Sequence, residues 1–184
     1  KKNYKSNIDV DFINGEICNF KADIRVTGLS NFHFSKKNFT SSLDIKLLNG
    51  HINNITKFKL LLPKSRSGDN EIFITTLLDE LEFIVPKTFY VNTFINGKKQ
   101  KYIFQEKLTK ELLERYRLRE GPIYVFSNNT KNYPMLKIEN SSWIKLQKEK
   151  FISSSEGLSK LHNSYKIQKN NLIDINLNEF DNKK

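Results

Sequence analysis

Residues 58–106 decide the fold, and they read FKLLLPKSRSGDNEIFITTLLDELEFIVPKTFYVNTFINGKKQKYIFQE. The first apolar run stops at Pro63, which has no N–H to donate to a strand ladder, and turn-forming residues fill positions 65–70. Residues 88–95 are rich in β-branched and aromatic side chains, and Asn96-Gly97 suits the two positive-φ positions of a type I′ hairpin turn. The stretch therefore predicts, in order, a strand, a helix and a β-hairpin.

The helix of this stretch is predicted at about residues 69–84. Asp69 or Asn70 can cap it, and Glu71 lies in the first turn, where the helix dipole favours an anion. Apolar residues recur at helical spacing and predict a buried face, with Glu80 and Glu82 on the other side. The apolar set is Ile72, Phe73, Leu77, Leu78 and Leu81.

The remaining chain extends this pattern to the α+β class. We expect a twisted antiparallel sheet with one main packed helix over residues 1–126, and a helical, incomplete segment over residues 127–184. That second part is either the start of a second lobe or a loosely ordered tail. Further strands are predicted at 7–13, 16–26, 39–48, 55–62, 123–126 and 135–138, a hinge and helix at about 106–118, and helices at 143–151 and 154–165.

Composition narrows the possible classes of protein. The chain has 184 residues and a net charge of +11, which is enough for one domain with a real core. No apolar run has the length of a transmembrane helix, and a single cysteine, Cys18, allows no internal disulfide. Lysine far outnumbers arginine and is spread along the chain, so two interpretations stay open: solvated lysines from an A/T-biased coding sequence, or a phosphate-binding face. Nucleic-acid binding ranks last, because aromatic residues are not interleaved with arginine.

Motifs for catalysis and metal binding are absent from the sequence. His33, His51, His162 and Cys18 are never at metal-ligand spacing, so we predict neither a metal site nor a catalytic residue. There is no Walker loop, no GxGxxG and no nucleophile elbow. Gly28 lies between two predicted strands, where a kinase Gly-rich loop would lie, but one glycine is a weak signal.

Taken together, the segments resemble the amino-terminal part of the CotH (spore-coat-protein-H-like) kinase family over about residues 20–126. The Asn-Gly hairpin that closes on Glu-Lys is the most specific piece. The chain departs from the family after this hairpin turn, where it has KQKY (99–102) in place of a G-x-Y pattern. The matching segments are IRVTGLS (24–30), SLDIKL (42–47), residues 57–81, PKTFYVNTFING (86–97), YIFQEK (102–107) and KELLE (110–114).

The resemblance implies the small lobe of an atypical kinase, with ATP and Mg²⁺ as cofactors and a hinge that leads to a larger lobe. It makes Lys46 the candidate phosphate-contacting lysine and Glu71 its candidate partner, with a solvent-facing lysine and a helix-dipole carboxylate as the plain alternatives. Arg25, beside the Gly28 turn, is a further phosphate candidate or else one half of a cross-strand ion pair.

The resemblance also places Gln105 and Glu106 at the hinge, where backbone groups meet an adenine edge. Lys59 and Arg66 are weaker nucleotide-binding candidates.

The activity that the resemblance implies needs residues that the sequence does not supply. Phosphoryl transfer uses one aspartate to orient the acceptor hydroxyl and another to hold Mg²⁺, and after Phe126 we can place neither. We therefore expect a fragment that is inactive alone, from a parent enzyme that transfers phosphate from ATP to a protein or glycan hydroxyl. The alternative is a non-catalytic α+β binding or scaffold domain that recognises an anionic polymer or a protein partner.

Overall fold

The computed structural model describes residues 2–28, 31–35, 40–119, 121, 123–127, 135–138, 159, 160 and 163. The chain divides into two compact units, Lys1–Glu120 and Gly121–Lys184. The predicted helix at 143–151 lies outside the described residues, as does most of the helix at 154–165, of which Ser159, Lys160 and Asn163 are helical. Within the described part of the chain, no helix is long and apolar enough to cross a membrane.

The first unit is a curled antiparallel half-barrel with two helices, which is an α+β arrangement. Its six-stranded sheet has the order β1-β2-β5-β6-β8-β7, and each strand is antiparallel to its neighbours. The strands of this sheet are β1 (Asn3–Asp11), β2 (Ile17–Val26), β5 (Leu43–Leu47), β6 (Lys57–Leu61), β7 (Thr88–Ile95) and β8 (Lys98–Glu106). A short pair, β3 (Phe34–Ser35) and β4 (Thr40–Ser41), precedes β5, and the helices are α1 (Asp69–Glu80) and α2 (Lys110–Arg115).

The second unit contains one described hairpin, β9 (Tyr124–Ser127) paired with β10 (Met135–Ile138). The strands predicted at 123–126 and 135–138 therefore pair with each other within this unit.

Asn-Gly pairs form two hairpin turns of the sheet, and the turn predicted at Asn96-Gly97 is one of them. Gly15 has φ of 84° between β1 and β2, while Asn96 and Gly97 have φ of 51° and 75° between β7 and β8. Two consecutive positive φ angles match the right-handed twist of the flanking strands, as a type I′ turn requires. The prediction of β7 at 88–95 is confirmed to the residue.

One face of the sheet carries the hydrophobic core. Strand alternation puts its apolar residues on the same side, where Phe104 stacks between Phe58 and Phe89 with ring centroids 4.6 and 4.7 Å apart. Tyr102 is completely buried in this core, and its hydroxyl donates to the Ser41 carbonyl oxygen at 3.0 Å. The buried cluster consists of Phe20, Ala22, Ile45, Leu47, Ile52, Ile55, Phe58, Leu60, Leu62, Tyr102 and Phe104.

The opposite side of the sheet, here called the polar face, carries most of the charged residues of the six strands. The cross-strand register and the two-residue alternation place them together. Its charged and amide members include Lys5, Lys21, Asp23, Arg25, Asp44, Lys46, Lys57, Lys59, Lys99, Lys101 and Gln105.

Helix α1 forms where predicted, but the prediction of a buried apolar face is wrong. None of its residues is buried, and Phe73 is 67% exposed. The helix contacts the sheet through the half-buried Glu71, whereas Phe73 and Leu77 are exposed, so its most apolar side points away from the sheet.

The end of α1 also differs from the prediction. Glu82 adopts φ of 61°, its N–H donates to the Asp79 carbonyl oxygen at 3.0 Å, and the Phe83 N–H donates to that of Leu78 at 2.9 Å. This is a Schellman C-cap, which ends the helix before Pro86 does. Helix α2 ends in the same way, with Arg117 at φ of 56°.

Candidate functional site

A line of polar side chains crosses the polar face at one level of the sheet. Arg25 of β2 lies opposite Asp44 of β5, which lies opposite Lys59 of β6. Lys59 lies opposite Gln105 of β8, and Gln105 lies opposite Thr88 of β7. Directly opposed residues have Cβ atoms about 5 Å apart, so these five form one continuous cross-strand row. The row brings together three residues that the resemblance selected: Arg25, Lys59 and Gln105.

Asp44 is the anion of the cross-strand row, and it holds two cations. It is 8% exposed, and it accepts hydrogen bonds from Arg25 Nη2 at 2.7 Å and from Lys107 Nζ at 3.1 and 3.2 Å. Burial alone would raise the pKa of Asp44, but the hydrogen bond from Arg25 and the charge and hydrogen bonds of Lys107 outweigh it and lower the pKa. Asp44 is therefore ionised and fixes the positions of both cations.

Helix α1 brings a second carboxylate to the other end of the cross-strand row. Glu71 Oε1 accepts a hydrogen bond from Gln105 Nε2 at 2.6 Å. Lys46, the predicted partner of Glu71, is an exposed residue of β5 at the next level of the sheet, opposite Asp23 and Lys57. Glu71 contacts Gln105, and Lys59 lies directly opposite Gln105 on the neighbouring strand. Lys59 is therefore closer to Glu71 in the strand register than Lys46 is.

Glu106 lies on the core side of the sheet and serves as an anchor. It is 4% exposed, its Oε2 accepts from the Lys87 N–H at 3.0 Å and from Arg115 Nη2, and Arg115 also donates to the Val85 carbonyl oxygen at 3.1 Å. The pair ties the end of β8 to α2.

The backbone N–H groups of the predicted hinge donate hydrogen bonds to neighbouring backbone carbonyl groups. The Glu106 N–H donates to the Lys87 carbonyl oxygen at 2.9 Å, and the Lys107 N–H donates to that of Lys57 at 3.0 Å. Contact of this segment with an adenine edge stays a prediction.

Gly28 packs tightly against the side chain of His33. Gly28 has φ of 92°, and a Cβ atom there would lie 2.0 Å from His33 Cγ. His33 Nδ1 lies 3.0 Å from Oγ of Ser42, a completely buried residue whose Oγ accepts from the Leu62 N–H at 3.0 Å. The close approach of the backbone to His33 explains why this position needs glycine.

Arg66, which with Lys59 is one of the two weaker nucleotide-binding candidates, lies at the end of a 3₁₀ turn, Pro63–Arg66. Its Nε is buried and has no hydrogen-bond partner within the described protein.

A cleft of about 310 Å³ lies elsewhere on the first unit and contains none of the predicted nucleotide-binding residues. Its residue Glu111 accepts from Thr56 Oγ1 at 3.1 Å. Burial would raise the pKa of Glu111, but hydrogen bonds from Thr109, its own backbone and Thr56, with the charge of Lys57, lower it. The cleft is lined by His51, Asn54, Thr56, Glu111, Glu114 and Arg115.

Metal binding finds no support in the described residues, since no three His, Cys, Asp or Glu side chains there are grouped closely enough to hold an ion.

Sequence reasoning missed Asp44 and Lys107, because both owe their position to strand register. The signal that was present was an aspartate at alternate spacing with a lysine on an otherwise apolar strand.

No protein-family model and no curated protein matches the chain.

Proposed function

We propose that the first unit is a nucleotide-binding lobe of a CotH-like atypical kinase, and that its polar face binds the phosphates. The observation that carries this proposal is the cross-strand row, in which Arg25 and Lys59 flank Asp44 while Lys107 reaches it from beyond β8. Phosphoryl-transfer proteins contact phosphate oxygens with positioned cations, and a helix carboxylate positions the lysine in protein kinases. Glu71 of α1 reaches the same row through Gln105.

Two cations at Asp44, Arg25 of the cross-strand row and the neighbouring Lys107, suit a phosphate because they are both ordered and accessible. The Arg25 side chain is 45% exposed and that of Lys107 is 25% exposed, although both contact Asp44. A guanidinium donates to two phosphate oxygens at once, and a lysine adds a point charge. Asp44 keeps the cations in place without a ligand, so less side-chain entropy is lost when one binds.

The complete reaction is part of the proposal, with ATP as the donor and a protein or glycan hydroxyl as the acceptor. The described residues offer no group of three His, Cys, Asp or Glu side chains that could hold Mg²⁺. This chain's contribution is to bind and orient the nucleotide phosphates.

A second candidate is a scaffold domain that binds an anionic polymer or an acidic protein. The observation that favours it is the extent of the basic surface, which continues across the polar face far beyond the cross-strand row. A phosphate chain of one nucleotide spans only part of this area, whereas a polymer would contact all of it. The lysines outside the row are Lys5, Lys21, Lys46, Lys57, Lys99 and Lys101.

Isothermal titration calorimetry with ATP and Mg²⁺ tests the proposal. We expect saturable binding that Lys59→Ala weakens at least tenfold, or ~1.4 kcal/mol. Lys46→Ala should have a smaller effect, since Lys46 lies one level from the row. Lys98→Ala is the matched control: this lysine is exposed at the β7–β8 turn, on the other side of the sheet, and its loss should leave affinity within twofold.

Two results would overturn the nucleotide proposal. One is the absence of ATP binding by a chain shown to be folded. The other is binding to heparin that falls steeply with salt, together with ATP affinity that none of the three substitutions changes. The second result would assign the polar face to a polymer, because contacts with many phosphates or sulfates make affinity strongly salt-dependent.

A further inference from the structure

Helix α1 presents a contiguous apolar stripe to solvent. Phe73, Ile74, Leu77 and Leu81, at its C-cap, are 67%, 53%, 47% and 58% exposed. At about 100° of rotation per residue, these four positions fall within an arc of about 100° on one side of the helix. They are called here the α1 stripe. Single exposed apolar side chains are ordinary, but a contiguous group of this kind marks a binding surface.

The α1 stripe is the outer side of the helix, because the other side is attached to the sheet. Glu71 contacts Gln105 of β8 at 2.6 Å, and Asp79 accepts from Lys87 Nζ and from the Tyr116 hydroxyl, each at 2.7 Å. These contacts fix the rotation of the helix about its axis. The apolar surface continues past the helix end into Phe83 and Ile84, which are 58% and 50% exposed.

The surroundings of the stripe are acidic, unlike the rest of the chain. Between Arg66 and Lys87 there is no lysine or arginine, although the whole chain carries a charge of +11. Glu80 and Glu82 are exposed and adjoin the stripe. The acidic residues of this segment are Asp69, Glu71, Asp79, Glu80 and Glu82.

We propose that the α1 stripe docks a lysine- or arginine-rich amphipathic helix of a partner protein. The apolar face of such a helix would cover the stripe, and its basic flanks would lie against Glu80 and Glu82. Charge complementarity also argues against a second copy of this chain, since a symmetric pair would bring the two acidic rims together. The surface is separate from the cross-strand row and does not depend on nucleotide binding.

The test uses a synthetic 18-residue helical peptide with leucine on one face and lysine on the other, labelled for fluorescence anisotropy. The full chain should bind it saturably, and the double variant Phe73→Ser, Leu77→Ser should weaken binding at least tenfold. A peptide with glutamate in place of lysine should bind at least tenfold more weakly. The net charge of +11 opposes non-specific binding of the lysine peptide, and the double variant shows whether the binding that remains is at the α1 stripe.

The matched control is Phe94→Ser, which removes another exposed aromatic side chain, 72% exposed near the end of β7. It should leave peptide affinity unchanged, and thermal melts should show that every variant is folded. Three results would overturn the proposal: equal affinity for the Phe73 and Leu77 double variant, equal affinity for the glutamate peptide, or dimerisation in sedimentation velocity that the double variant abolishes. The last would assign the stripe to a second copy.

Discussion

Replacing Arg115 with methionine should destabilise the first unit strongly. The substitution leaves the Glu106 carboxylate, whose side chain is 2% exposed, without the guanidinium that it contacts. Removing one partner of a buried ion pair costs about 3–5 kcal/mol, because the other charge stays buried and unpaired. The Arg115 side chain is 19% exposed, so some water can reach the vacated position, and we expect a loss of about 3 kcal/mol. Urea unfolding followed by circular dichroism measures it.

Two further variants separate the buried charge from simple loss of packing. Lys110→Met breaks an exposed pair with Glu114 on the same helix, with Nζ and Oε1 3.0 Å apart, and should cost less than about 0.5 kcal/mol. The double replacement Glu106→Leu, Arg115→Met removes both charges and should recover at least half of the lost stability. An Arg115→Met penalty below about 1 kcal/mol, or a double variant less stable than the single one, would show that the unpaired buried charge of Glu106 is not the cause of the instability.

Two other predictions concern the Gly28 turn and the cross-strand row. Gly28→Ala should cost about 1–3 kcal/mol more than Gly15→Ala in urea unfolding, because both glycines have positive φ but only at Gly28 would a Cβ collide with His33; equal losses would contradict this packing. Since the folded-state pKa of Asp44 is lowered, its stabilisation is present above its unfolded pKa, about 3.9, and is lost as pH falls from there through the lowered value. Asp44→Asn should therefore lower the free energy of unfolding by about 1–2 kcal/mol at pH 7, as measured by urea unfolding. It should also make that free energy fall less steeply as the pH is lowered. An unchanged pH dependence would show that Asp44 is not stabilised by Arg25 and Lys107.

The strands of the sheet were predictable because the sequence features that specify them, alternating residues and turn residues, are local. Alternating residues and the Asn-Gly turns gave most strands of the first unit, and β7 and β10 are confirmed to the residue. The orientation of α1 was not predictable, because periodicity identifies the apolar side of a helix but does not show which side of the helix meets the sheet. That choice depends on contacts such as Glu71 with Gln105, which join residues far apart in the chain.

The candidate site was predictable only in part. The resemblance selected Arg25, Lys59 and Gln105, and register puts them in one row. It did not select Asp44, whose partners Arg25 and Lys107 come from outside its own strand.

Affinity labelling is the most direct test of whether the cross-strand row binds nucleotide phosphates. An ATP analogue with an acyl group on its terminal phosphate transfers that group to a nearby lysine amine, and peptide mass spectrometry locates the product. We predict labelling of Lys59 or Lys107 that excess ATP prevents, with little label on Lys98. Labelling spread over exposed lysines, and unaffected by ATP, would contradict it.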